Sequence, residues 1–384
     1  MYYTALKMLM GDRSKYVGII MGLTFASFIM TQQSAIFVGI MARTFSFITD
    51  LGQPDIWVMD PKVQFIDDIK PIQDTGLYRV RGVEGVEWAV PLYKSLLKAR
   101  LENGNFQTCN VIGLDDATLI GGPAIMIEGK LEDLRRSDSV IVDAEGANTK
   151  LARHLPGGKN VPLKIGDTLE LNDKRATVVG IAKTSRIFQS QPVIYTTYSR
   201  ATSFAPRERK LLSFVLVKAK RGVNPQELTV RIRNATGLAA YTRDEFKSVT
   251  VRYFLKNTGI LINFGMAVLL GFIIGAATAG QTFYNFTLDN LKQFGVLKAM
   301  GTTNGQLLKM ILLQALMVGS VGYGLGVGAA SLFGYIMRDS VLAFKFPWQL
   351  LVLSGTGVTV TCIFSALISI RKVMKLEPAI VFKG

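Results

Sequence analysis

Four long stretches, residues 16–42, 258–281, 307–336 and 350–370, hold no Asp, Glu, Lys or Arg except Lys309 near the start of the third. A bilayer core about 30 Å thick takes about 20 apolar residues as a helix, so each stretch is long enough to cross it. A chain with four such stretches is an integral membrane protein before any other feature is weighed. Of the 282 residues outside them, 215 form one block, residues 43–257, between the first and second stretches, and most of the acidic residues lie there. The expected fold class is therefore a membrane α-helical protein of four transmembrane helices, with a large α+β domain inserted between spans 1 and 2. The expected boundaries are 1–43 for an N-terminal interfacial helix and transmembrane helix 1, 44–257 for the inserted domain, and 258–384 for transmembrane helices 2–4.

Charge sets the expected orientation. The formal net charge is +16, which alone invites a nucleic-acid reading, but the distribution of the charges argues against one. Lys7, Arg13, Lys15, Lys292, Lys298, Lys309, Arg371, Lys372, Lys375 and Lys383 gather on one predicted side with only Asp12, Asp289 and Glu377. The short loop between the last two spans offers Arg338, Lys345 and Asp339. That asymmetry is the positive-inside pattern, and it predicts cytoplasmic termini and an insertion on the outer side. In the first span Thr31, Gln32, Gln33 and Ser34 interrupt the apolar run and are expected to face other helices rather than lipid. A cleaved signal peptide fits less well, because the region is long and lacks a small-residue cleavage site.

Within the insertion, residues 56–59, 86–90, 92–101, 106–112 and 139–143 read as strands, with Asn103-Gly104 as a hairpin turn. Residues 163–181 read as two strands around Asn172-Asp173. Pro225 after Asn224 marks a helix start. Phe246, Val249, Tyr253 and Phe254 fall at helical spacing and are expected to run unbroken into span 2, so that spans 1 and 2 both extend outward as a stalk.

Between spans 2 and 3 lies a polar segment, 284–306, in which Leu288, Leu291, Phe294 and Leu297 recur every third residue and predict a short helix with one apolar stripe, ended by Gly301. It is expected to lie at the membrane surface; a solvated loop helix of no special role is the competing reading. Glycines crowd the second and third spans. Gly271, Gly275, Gly322, Gly324, Gly326 and Gly328 are expected to let helices approach closely, since no strand precedes them and no Lys follows them as a phosphate loop requires.

The residues of familiar catalytic chemistry are missing. G-x-x-x-x-G-K-[ST], H-E-x-x-H, C-x-x-C and G-x-S-x-G do not occur, and the single histidine, His154, has no ligand set at metal spacing. The carboxylate pairs Asp67-Asp68, Asp115-Asp116 and Glu132-Asp133 sit in turn-like contexts and read as solvated loops. Cys109 and Cys362 are separated by the expected topology, so both are expected free. No metal and no catalytic residue is expected, and spans without central charges disfavour an ion or proton path.

The segment FGVLKAMGTTNGQLLKMILLQ, residues 294–314, resembles the stretch of FtsX/MacB-type ABC transporter permeases in which a cytoplasmic coupling helix leads into the third span. KIGDTLELNDKRATVVGI resembles strands of the MacB-like periplasmic core domain, and LYRVRGVEGVEWAVPLYKS with the terminal KLEPAIVFKG is similar to the DevC-type branch. The resemblance implies a homodimeric permease with a periplasmic domain in the bacterial inner membrane. It implies an ABC ATPase as a separate partner holding ATP and Mg, with no cofactor on this chain, and a periplasmic adaptor and outer-membrane channel in an efflux assembly. Leu291, Phe294, Leu297, Lys298, Ala299, Met300 and Gly301 become the implied ATPase-coupling residues, with Glu377, Pro378 and Ala379 as a second contact. The implied function is export of lipid, glycolipid, peptide or drug by mechanotransmission. A signalling scaffold acting on a cell-wall hydrolase and a lipoprotein-releasing permease are the alternatives within the resemblance.

Overall fold

In the computed structural model, residues 2–101, 103–154, 160–206, 212–338 and 340–374 are described. Two long helices come first, α1 (Tyr2–Gly11) and α2 (Arg13–Thr44), followed by the short α3 (Ser46–Asp50). Then come β1 (Ile56–Met59), α4 (Asp74–Arg81), β2 (Val86–Arg100), β3 (Phe106–Leu114), β4 (Ile125–Glu128), β5 (Ser139–Asp143), α5 (Ala144–Asn148), β6 (Arg153–His154) and β7 (Asn160–Val161). They are followed by β8 (Thr168–Leu171), β9 (Lys174–Lys183), β10 (Val193–Thr197), α6 (Tyr198–Phe204), β11 (Phe214–Ala219), α7 (Pro225–Thr236), β12 (Ala239–Thr242) and α8 (Arg243–Asn257). The last four helices are α9 (Ile260–Asp289), α10 (Leu291–Ala299), α11 (Asn304–Ile336) and α12 (Gln349–Met374). Contacts divide the chain into two compact units, residues 1–40 with 259–384, and residues 41–258.

In the first unit, α2, α9, α11 and the Gln349–Arg371 part of α12 are each long and apolar enough to cross a membrane. Two glycine pairs, each four residues apart, grip α2 from different neighbours. A methyl added at Gly271 would stand 2.8 Å from Ile29 Cγ2, and one at Gly275 would collide with Ala26, so α9 meets α2 almost backbone to backbone. On α11, a methyl at Gly322 would stand 2.8 Å from Leu23 Cβ and one at Gly326 2.6 Å from the Thr24 carbonyl oxygen. Ser27 Oγ donates to the Tyr323 carbonyl across this contact (3.3 Å). Gly324 and Gly328 depart from the expectation, because a Cβ at either would meet nothing within 4 Å. At 100° per residue, positions two apart from Gly322 and Gly326 fall on the opposite face of the helix. Gly275→Leu is therefore expected to cost about 1–3 kcal/mol through overpacking, whereas Gly328→Ala stays within about 1 kcal/mol of the parent. Comparative melts of the detergent-solubilised protein check the contrast; equal losses would mean that the faces are assigned wrongly.

The second unit is built around a βαββαβ path. Strand order β12-β1-β11-β2 is antiparallel throughout, α4 connects β1 to β2, and α7 connects β11 to β12. This is the split βαβ, ferredoxin-like topology. Its two halves even repeat a detail, since Arg81 Nε donates to the Ala89 carbonyl (2.8 Å) and Arg233 Nε to the Ala240 carbonyl (2.8 Å). Ile56, Val58, Val80, Leu228 and Ile232 fill the core between sheet and helices. The opposite face of the sheet, with Trp57, Leu92, Phe214 and Leu216, is covered by Phe47 of α3 and Phe246 of α8.

Between β2 and β11 the chain adds a second lobe, in the order β3-β10-β5-β9-β4, with β8 pairing both β2 and β9. Strand β2 serves both lobes, pairing β11 over Val86–Leu92 and β3 over Tyr93–Arg100, which is why the two stretches read as separate strands form one. The two expected turns form: Gly104 takes φ +81°, and Asn172 and Asp173 take +49° and +64°, the left-handed pair that a two-residue hairpin needs. One expectation fails. Helix α8 does not run into α9: Thr258 is extended (φ −121°, ψ 150°) and its hydroxyl donates to the Phe254 carbonyl, breaking the helix one residue before Gly259.

Candidate coupling site

The polar segment between spans 2 and 3 divides differently from the expectation. Residues 284–289 continue α9, residues 304–306 open α11, and only Leu291–Ala299 form a separate helix. Asn290 marks the bend, its side-chain amide donating to the Phe286 carbonyl (2.8 Å). At the other end Gly301 takes φ +90°, which a side chain rarely tolerates, and its N–H reaches the Lys298 carbonyl (3.0 Å). Thr303 then caps α11, exchanging hydrogen bonds with Gln306 (3.0 and 3.4 Å).

The apolar stripe of α10 faces inward. Phe294 is fully buried among Phe283, Phe286, Leu307, Met310 and Ile370, with Leu291 and Leu297 packed against the same core. Phe294 is buried and Leu291 and Leu297 are half-buried, so the stripe packs toward the spans. What α10 exposes is Lys292, Gln293, Val296, Ala299 and Met300, with Met300 at 69% exposure, followed by exposed Gly301. Lys298 is half-buried. Glu377, Pro378 and Ala379 lie outside the described residues. Lys15 at the start of α2 pairs with Asp12 (2.9 Å) and with Asp289, one residue before the bend.

One buried polar residue escaped the sequence reading. Gln314, with no exposed surface, donates from Nε2 to the Ala5 carbonyl of α1 (2.6 Å) and so fastens the N-terminal helix to α11. Among the described side chains of α1, Ala5 and Leu9 are buried and Met10 is 56% exposed. Thr31 and Ser34 of α2 are buried, in line with polar groups turned away from lipid.

In the second unit the carboxylate pairs are used structurally. Asp67 holds the buried Lys94 ammonium. Asp68 accepts from Gln64 N (3.0 Å) and pairs with Lys70 (2.9 Å). Asp115 binds Thr118 N and Oγ1 (2.9 and 2.7 Å), Asp116 binds Ser199 Oγ (2.7 Å), and Asp133 closes the turn onto Lys130 N (2.9 Å). Asp143 accepts from Gly146 N and Val193 N (2.8 and 2.6 Å); burial still pushes its carboxyl above the usual range, against the pull of those two amides. Cys109 and Cys362 are both free and buried. Burial raises the Cys109 thiol far above its ordinary value, so a topology probe needs an engineered exposed cysteine rather than this one. Among the described residues, no three His, Cys, Asp or Glu side chains stand close enough to hold a metal ion.

Two family models match the chain. The model of the MacB-like periplasmic core domain family matches residues 17–235, more than half of the chain, and that of the FtsX-like permease C-terminal family matches residues 265–378. An uncharacterized ABC transporter permease of Methanocaldococcus jannaschii is 24% identical over 58% of this chain and 58% of its own length, so the match spans little more than half of that relative. An uncharacterized ABC transporter permease of Mycobacterium tuberculosis is 24% identical over 82% of this chain and 80% of its own. A macrolide export ATP-binding/permease protein MacB of Agrobacterium fabrum is 23% identical over 63% of this chain and 38% of its own. With four membrane-crossing helices and an α+β periplasmic domain between the first two, the chain belongs to the FtsX/MacB family of ABC transporter permeases.

Proposed function

We propose that this chain is the inner-membrane subunit of an ABC exporter, in which a separate ATPase subunit binding ATP and Mg docks on α10 and drives movement of the periplasmic domain. The observation that carries the reading is α10 itself: a helix held by Phe294 to the spans, with Val296, Ala299 and Met300 left facing outward beside Lys292 and Gln293. A buried anchor with an exposed, mixed apolar face is what a rigid lever needs, since a push on the outer face moves the core behind it. The spans carry no charge at their centres, so they offer no path for a hydrophilic cargo, and the cargo class that fits is an amphiphile taken up on the outer side: a lipid, glycolipid, peptide or drug. The charge asymmetry of the loops supports a cytoplasmic side for both termini and for α10. A second copy of the chain, a periplasmic adaptor and an outer-membrane channel complete the proposed assembly.

The test is co-purification with the ATPase in lipid and measurement of ATP turnover. Met300→Asp and Val296→Asp, which put a charge into the proposed contact, are expected to weaken binding of the ATPase about tenfold, the cost of losing one interface anchor, with the melt of the permease unchanged. Variants that bind and turn over ATP like the parent would show that the ATPase docks elsewhere.

A further inference from the structure

The nine residues 184–192 between β9 and β10 contact α3, α8 and the inserted lobe of the second unit. On one side they hold α3. Asp50 accepts from both Ser185 N (2.9 Å) and Ser185 Oγ (2.8 Å), and Ser46 Oγ donates to the Arg186 carbonyl (3.1 Å). They also meet α8, where the Phe188 and Phe254 rings lie 4.9 Å apart, and Phe254 belongs to a cluster with Phe65 (5.4 Å) and Tyr253 (5.8 Å). Ile187, 8% exposed, sits in the core that Phe47 of α3, Trp57 of β1 and Phe246 of α8 share.

On the other side the same residues hold the inserted lobe. Arg186 Nε pairs with Glu145 of α5. Lys150 Nζ donates to the Ser190 carbonyl (2.6 Å), and Asn110 N of β3 donates to the Pro192 carbonyl (2.8 Å). The next residue, Val193, donates its N–H to Asp143 at the end of β5 (2.6 Å). Helix α3 follows the first span in sequence and α8 precedes the second, so a single segment is tied to the outer extension of both spans and, in the lobe, to α5, to Lys150 just after it and to β3. The ties to α3 and α5 are charge-assisted, which makes them stiffer than neutral hydrogen bonds.

We propose that residues 184–192 form a strap that carries displacement of α3 and α8 into the inserted lobe, with Asp50–Ser185 and Arg186–Glu145 as its two joints. The proposal rests on the transmission reading above and assigns it a physical route. Neither joint lies in the sheet, so cutting one leaves the β ladders and the aromatic core intact while removing a connection.

The experiment uses the full chain with its ATPase in lipid nanodiscs, with spin labels on cysteines introduced at two exposed positions, Tyr78 of α4 and Lys174 of β9. The label-to-label distance is measured without nucleotide and with a non-hydrolysable ATP analogue. The parent is expected to shift between the two states. Asp50→Ala combined with Ser185→Ala, and separately Glu145→Gln, are expected to lose the shift while the melt, ATPase binding and ATP turnover stay at parental values; Ser185→Thr, which keeps the hydroxyl, retains it. An undiminished shift in both joint variants overturns the strap and leaves transmission standing. A parent that shows no shift overturns transmission, and the strap with it.

Discussion

Asp67→Ala is expected to destabilise the periplasmic unit by about 3–5 kcal/mol, because it leaves an ammonium without a counter-ion in the interior. Lys94, at 1% exposure, sends its Nζ to the Asp67 carboxylate and lies over the Phe47 ring at 5.9 Å. Its backbone is equally committed, with Lys94 N donating to Ser213 Oγ (3.0 Å) and Ser213 Oγ donating to the Lys94 carbonyl (3.1 Å), so the residue has no room to swing out. Asp67 is 24% exposed, which lets some water reach the site and favours the lower end of the range. Lys94→Met acts differently. It removes the buried charge, keeps the volume and leaves Asp67 to turn toward water, so its expected cost is under about 1.5 kcal/mol. The double variant is expected to be more stable than Asp67→Ala alone, a coupling that independent sites do not show. Hydrogen exchange of the β2 and β11 amides in the full, detergent-solubilised chain reads all three variants; equal losses for the two single changes would show that the pair, and not the stranded charge, sets the cost.

Lys94 also shows where sequence reading stops. Residues Ala89–Ser95 of β2 are buried without a break, on both faces, because the strand runs through the middle of two lobes. Alternation along one strand cannot reveal that, since what covers the second face is supplied by α3 and by residues far away in the chain. The four spans, by contrast, were legible because the bilayer is a known solvent and tests each stretch locally. Periodicity in 284–306 announced an apolar face on a short helix but not its neighbour, and Phe294 of that face packs into the core of the spans. Spacing likewise separates Gly322 and Gly326 from Gly324 and Gly328 onto opposite faces, yet only the position of α2 tells which face is packed. The β1–β11 pairing joins Ile56 to Val217, a contact no local pattern encodes. Local turn chemistry fared better: Asn172-Asp173, Asn103-Gly104 and Asn224-Pro225 each act where they stand, through their own backbone preferences.

Phe246→Ala is the other change expected to reach about 3–5 kcal/mol, the range for emptying a large aromatic site in a close-packed core. Phe246 is fully buried, with its ring 5.7 Å from Trp57, 6.1 Å from Phe214 and 6.3 Å from Tyr241, and Phe47 of α3 meets Trp57 at 6.1 Å on the same face of the sheet. The N-terminus of α8 is fixed separately by Thr242 and Glu245, whose side chains each bond the other's backbone N–H (3.3 and 2.9 Å), so the helix itself survives the truncation. What is lost is its grip on the sheet. Phe246→Leu keeps most of the volume and is expected to recover more than half of the loss. Trp57, buried at the centre of the cluster, supplies the readout: its fluorescence in the full chain should report a looser environment in Phe246→Ala and a near-parental one in Phe246→Leu. If α8 is the element through which the second span acts on the sheet, Phe246→Ala also leaves ATPase binding at α10 unchanged while weakening the nucleotide-dependent movement of the periplasmic domain. Intact movement in a protein whose α8 has demonstrably loosened would place the route through α3 alone.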